Sequence, residues 1–132
     1  MNRKGDKIVE IGKYLDELRN FLPSGFRDYM SDGKTRAACE RYFEKIIEAV
    51  VDLAFLIIKE RGFRSPEYSR ECFEILNERG IISPELALRL GNAKSMRNWL
   101  AHRYGTVDDK RVFDALKNKL LFDVTKFLEA MK

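Results

Sequence analysis

Residues 35–62 read TRAACERYFEKIIEAVVDLAFLIIKERG, and the reading of this stretch decides the fold. Its spacing predicts one long helix over residues 35–61, stopped at Gly62, a residue suited to the left-handed turn that closes a helix. The second half of the stretch is apolar almost all round, so a helix here must be covered on several sides. Such a helix is either the centre of a bundle or the seam of a dimer.

The flanking sequence supplies the cover. Upstream, Ile8, Ile11, Leu15, Leu18 and Leu22 recur at steps of three and four, one apolar stripe on a helix of roughly 16 residues, before Pro23, Ser24 and Gly25 interrupt it. Downstream, Ser65-Pro66-Glu67 and Ser83-Pro84-Glu85 each offer a capping serine, a proline suited to the first helical position and an acid that favours the positive helix end. The first triplet predicts a short third helix ending near Gly80. The second predicts a fourth running from Pro84 towards Ala101, with Gly105 placed where a helix would end. Phe113, Leu116, Leu120, Val124, Phe127 and Met131 form the stripe of a last helix. The expectation is an all-α fold, a single domain over residues 1–132 built as a bundle of about five helices.

Bulk properties bound the function. A chain of 132 residues can bury one core. The longest apolar-rich run, AVVDLAFLII, is too short for a membrane span and carries an aspartate, and the charged N-terminus lacks the apolar core of a signal peptide. A cytoplasmic protein with no membrane partner is expected. Cys39 and Cys72 lie in no Cys/His ligand pattern, which argues against a structural zinc, so no metal and no cofactor are expected. A net charge of +4 permits contact with phosphates without proving it. The clustering of the charge says more. Arg89, Lys94, Arg97, Arg103, Lys110 and Arg111 face only Asp108 and Asp109 in that stretch, beside the chain's one histidine, His102.

Residues 97–104, RNWLAHRY, contain both that histidine and the only tryptophan. Arg97 falls on the same helical face as Leu86, Leu90, Ala93 and Leu100, a position from which it should not point idly at water. On a continuous helix Arg97 and His102 stand about 140° apart, whereas Asn98 and His102, four apart, share a face. Arg97 and His102 can therefore meet one ligand if the helix unwinds near residues 101–105, or if a second copy of the chain completes the site.

Arg97, His102 and Tyr104 match the R-x4-H-x-Y signature of HEPN domains of the HepT type, which this chain resembles. RNWLAHRYGTVD is similar to that family's segment leading into its last helix. EAVVDLAFLIIKERG is similar to its long second helix, and GIISPELALRL to its helix-three-to-four connection. The resemblance implies a symmetric homodimer of helical bundles. It also implies a metal-independent endoribonuclease toxin, paired with a cognate minimal nucleotidyltransferase antitoxin.

The residue types can support that chemistry. In metal-free RNA cleavage the neighbouring 2′-hydroxyl attacks phosphorus and the 5′-oxygen leaves. Imidazole titrates near neutrality, which suits His102 to general acid or base work. Arg97 can hold charge building on the phosphoryl oxygens without losing its proton. Asn98 can bind a phosphate or orient the imidazole. One histidine per chain leaves a second acid or base role open, which a dimer would fill. The resemblance further implies that Tyr104 accepts AMP from the antitoxin, adding negative charge beside Arg97 and His102 and so repelling RNA.

More ordinary readings stand beside these. His102 can be a histidine placed at the negative end of a helix, and Arg97 can be the ion-pair partner of Glu48 or Asp52. Those two acids, four apart on the most apolar helix, either orient Arg97 or His102 or make an interhelical salt bridge. Lys94, Arg103 and Arg111 are candidate RNA-backbone contacts. Trp99 and Phe55 read as core or dimer-seam residues, and the cysteines as packing. The competing class is a non-catalytic helical module that binds a nucleotide or partner and docks a nucleotidyltransferase.

Overall fold

The computed structural model describes residues 3–102 and 107–132. Every regular element among them is helical: α1 (Arg3–Phe21), α2 (Phe26–Ser31), α3 (Gly33–Arg61), α4 (Glu71–Glu78), α5 (Pro84–His102), α6 (Asp109–Ala115), a π-helical turn (Leu116–Leu120) and α7 (Leu121–Met131). Among the described residues no helix is long and apolar enough to cross a membrane.

The stretch that decides the fold forms α3, and α3 is the centre of the bundle. It packs against α1, α2, α4, α5 and the π-helical turn. Phe43, Ile46, Ile47, Val50, Leu53 and Ile57 on α3 are essentially fully buried. Each such side chain contributes about 1.5–3 kcal/mol by leaving water. The helix starts two residues before the expected position because Asp32 caps it, accepting from the backbone N–H of Lys34 at 3.0 Å and from the Thr35 hydroxyl at 2.8 Å. At the other end Gly62 has φ +68° and the Phe63 N–H reaches back to the Ile58 carbonyl at 3.0 Å, the paired closure that needs a left-handed residue.

Three expectations need correction. Ser65-Pro66-Glu67 does not start a helix; α4 begins only at Glu71. The Glu71 carboxylate accepts from the Glu67 N–H at 2.8 Å and pairs with Arg64 at 3.2 Å, folding the triplet into a loop. The apolar stripe that a helix could bury starts only at Cys72. By contrast Ser83 does cap α5, its hydroxyl accepting from the Leu86 N–H at 3.1 Å. The second correction is the short α2, which carries the fully buried Tyr29 against Phe113 with ring centroids 5.0 Å apart. The third is the last helix, which is divided by the π-helical turn although its stripe residues are all buried. Two extra segments thus take the bundle beyond about five helices.

Cys39 and Cys72 are buried on separate helices as free thiols, and burial pushes them up to about 11 and about 12. They are packing residues.

Candidate functional site

The C-terminal half of α5 carries the basic cluster, and packing explains its geometry. Leu86, Leu90 and Leu100 seat α5 on α3, and Arg97, on the same face one turn before the helix end, is drawn inward with them. One Arg97 nitrogen donates to Glu48 Oε2 on α3 at 3.3 Å and another to Asn98 Oδ1 at 3.2 Å. Its Nε is buried and has no hydrogen-bond partner among the described residues. Lys94 Nζ donates to the same Asn98 oxygen at 2.8 Å. One amide oxygen therefore holds two cations side by side.

That arrangement is unfavourable by itself. Burial first, and the nearby Arg97 second, pull the Lys94 ammonium below its usual range, with Glu48 acting in the other direction. Glu48 is more than half exposed, so its carboxylate offsets the two cations through solvent rather than in a closed pair. The cluster keeps one surplus positive charge and one unused buried donor. The charge is what an incoming oxyanion would offset; the Nε is covered by protein and is not itself open to one.

The other candidates sort around this point. Asp52, one turn along α3 from Glu48, pairs with Lys7 of α1 at 3.8 Å instead and does not reach Arg97. Both acids lie on the solvent-facing side of α3, so neither is a buried charge. His102 is the last residue of α5 and is exposed. Because α5 stays helical through His102, the two motif residues remain about 140° apart around its axis, and only Asn98 shares a face with the imidazole. Arg103 and Tyr104, with Gly105, lie outside the described residues. Arg111 is exposed at the start of α6. Trp99 and Phe55 are partly buried against the core. Among the described residues no three His, Cys, Asp or Glu side chains converge as a metal cage would require.

Sequence reasoning missed Arg70. Its guanidinium crosses α5 over Gly91, donating to Ser95 Oγ at 2.6 Å and to Asn92 Oδ1 at 3.0 Å. A Cβ at Gly91 would lie 2.7 Å from Arg70 Nε, so the glycine admits the crossing. A glycine in mid-helix was the available signal. This strut braces α5 one turn before Lys94.

A cleft of about 530 Å³ occupies the opposite flank of α5, between that helix, α6 and the π-helical turn, and Trp99 and Arg111 are among its walls.

Comparison with known proteins adds a family and a fold. The chain matches the model of the family "Ribonuclease HepT-like" over residues 11–131. It is 31% identical over 110 residues to the tRNA nuclease HepT of Aphanizomenon flos-aquae (strain 2012/KM1/D3), covering 83% of this chain and 75% of that one. A tri-AMPylated HEPN toxin from Shewanella oneidensis, solved in complex with an MNT antitoxin, superposes with a TM-score of 0.90 at 21% identity, over 98% of this chain and 97% of that one. A chain of a toxin–antitoxin crystal structure with AMP-PNP superposes at 0.88 and 20% identity, over 96% and 95% of the two chains. At these identities the structural likeness is one of fold.

Proposed function

This chain belongs to the ribonuclease HepT-like family, and from that premise we propose that it is a metal-independent endoribonuclease, the toxin of a toxin–antitoxin pair. The observation that carries the reading is the α5 cluster. Two cations share the Asn98 oxygen with one exposed carboxylate beside them among the described residues, and Asn98 and Arg97 stand four and five residues before the only histidine.

In this reading the scissile phosphate of a single-stranded RNA displaces water at Lys94 and Arg97. Arg97 holds the phosphoryl oxygens as negative charge grows on them, with Glu48 and Asn98 fixing its planar fork. His102 moves a proton, taking it from the 2′-hydroxyl or giving it to the departing 5′-oxygen. The products are a 2′,3′-cyclic phosphate and a 5′-hydroxyl, and no metal is needed because the guanidinium supplies the electrostatic stabilisation. The spread of about 140° between Arg97 and His102 on one continuous helix favours a site completed by a second copy, so the working unit is a homodimer of single-domain chains.

The partner proposed is a minimal nucleotidyltransferase, in keeping with the MNT antitoxin bound to the Shewanella oneidensis toxin of the same fold. It would silence the toxin by moving AMP onto Tyr104, with release of pyrophosphate from ATP. Arg103 and Arg111 would track the RNA backbone, and Asp52 would act only through Lys7 on the neighbouring surface. A second reading, a nucleotide- or partner-binding module that does not cut, is favoured by the Arg97–Glu48 contact, which already engages one guanidinium nitrogen.

Mixed dimers separate these readings. Arg97→Ala and His102→Ala chains should each fail to cut labelled tRNA in excess EDTA, whereas wild type cuts. Co-expressed as heterodimers, the two variants should recover a substantial part of the activity, because one composite site is then intact. Recovery in no mixture would place both residues in one chain's site, and no cleavage by unmodified wild type would support the binding module. Intact mass identifies the modified state, since AMP on Tyr104 adds mass that Tyr104→Phe cannot acquire.

A further inference from the structure

The cleft on the other flank of α5 has no role in the chemistry above, and its walls differ from those of a packing defect. Leu90, Leu120, Trp99 and Met96 line it as apolar groups and Arg111, Lys119 and Asp108 as charged ones, with the Asp108 carboxylate taken up in capping α6, where it accepts from the Arg111 N–H at 3.2 Å. Its volume of about 530 Å³ lies within the range of small-ligand sites. Arg89 also lines it, but that guanidinium is committed to Asp123, its Nε donating to both carboxylate oxygens at 2.8 and 2.9 Å. Lys119 pairs with Asp114 at 3.6 Å. Arg111, exposed, makes no ion pair among the described residues.

We infer that this cleft is a subsite for one unstacked nucleotide of the RNA, its base against Trp99 and Met96 and its phosphate at Arg111. The inference rests on the nuclease reading of α5 and adds where the strand goes next. Around the helix axis His102 stands about 40° from Asn98 on one side and about 60° from Trp99 on the other. It forms the ridge between the Lys94–Arg97 flank and the cleft. A strand crossing the end of α5 would meet the cations, then the imidazole, then the cleft. Attack by a 2′-hydroxyl needs the nucleotides at the cut splayed from their stack, and a splayed base needs a surface to lie on. An indole and a thioether lining one cleft with a guanidinium that makes no ion pair among the described residues suit a base and its phosphate.

The π-helical turn belongs to this argument. It supplies Lys119 and Leu120 to the cleft wall.

Trp99 is the only tryptophan, so its fluorescence reports the cleft directly. Wild-type protein is titrated with AMP, GMP, CMP and UMP, beside Arg111→Glu, Lys119→Glu and Arg97→Ala. A saturable change with at least one nucleotide is expected, weakened about tenfold or more in Arg111→Glu, less in Lys119→Glu, and preserved in Arg97→Ala. No response to any of the four overturns the proposal. So does a response untouched by Arg111→Glu and Lys119→Glu, or one abolished by Arg97→Ala instead. Because binding is read, the two claims fail separately. A chain that cuts no RNA but passes this titration keeps the subsite and loses the nuclease, and one that cuts RNA but fails it loses the subsite alone.

Discussion

The arginine clusters at Arg64 and at Arg97 are built in opposite ways. Arg64, on the loop before α4, faces two carboxylates, with nitrogens 2.6 and 3.0 Å from the Glu78 oxygens and 3.2 Å from Glu71. Its guanidinium is raised above its usual range by those hydrogen bonds, and both carboxyls are lowered, Glu71 first by the Glu67 N–H and Glu78 first by Arg64. Among the described residues Arg97 has one exposed carboxylate, shares its amide oxygen with a second cation, and leaves Nε buried without a partner. The first cluster is complete without a ligand and holds a loop in place. The second keeps a surplus of positive charge among the described residues, which the proposed reading assigns to an RNA phosphate. Arginine on a folded surface is thus uninformative by itself; the balance of its partners separates a brace from a site.

The largest losses are expected at Arg97 and His102. Arg97→Ala should lower RNA cleavage about 10²–10³-fold while moving Tm by no more than about 3 °C, since the lost pair is solvent-screened. His102→Ala should lose activity about 10²–10⁴-fold, again with Tm nearly unchanged. Steady-state cleavage and thermal melts on the same preparations check both.

Lys94→Met sharpens the contrast. The ammonium is desolvated beside a like charge, so removing it should not lower Tm, although cleavage should fall about tenfold through weaker phosphate binding. The sign of the pH effect follows from the depressed ammonium. The native state gives up that proton before the unfolded chain does, so the Lys94 penalty is full at neutral pH and is relieved as pH rises towards the unfolded value. The Tm advantage of Lys94→Met over wild type should therefore shrink in alkaline buffer.

The smallest effect is expected at the balanced cluster. Arg64→Ala should leave cleavage unchanged and lower Tm by a few degrees at most, about 3 °C. Here the carboxyls are depressed in the folded state, so their contribution is present above the unfolded carboxylate range, near pH ~4.3, and is lost as pH falls towards the lower folded values. The Tm gap between wild type and Arg64→Ala should close in acid.

Much of this was legible in the sequence, for reasons that differ by element. α3 was readable because an apolar period sustained over many residues has few competing explanations, and Gly62 marked its end. α5 was readable from Ser83-Pro84-Glu85, whereas the same triplet at Ser65 misled, because a triplet can start a helix only if an apolar stripe follows within the first turn. The next buried residue after Ser65 is Cys72. α2 is six residues long, too short to show a period. The π-helical turn keeps the stripe of the last helix intact and leaves no trace in its spacing. At the candidate site Arg97, Asn98 and His102 stood out by their register. Neither the shared Asn98 oxygen nor the parting of Asp52 from Glu48 could be read, since both depend on how α1, α3 and α5 meet. Arg70 was signalled only by the mid-helix Gly91, since its partners lie on another helix.

The account rests most directly on the claim that the surplus of positive charge on α5 is what cuts RNA. The measurement is cleavage of labelled tRNA in excess EDTA by two variants side by side, Arg97→Ala and Arg64→Ala, against wild type. The account predicts that Arg64→Ala cuts as wild type does and Arg97→Ala does not. Equal cleavage by the two variants would contradict it, and Arg97 would then be a second brace, differing from Arg64 only in how poorly it is partnered.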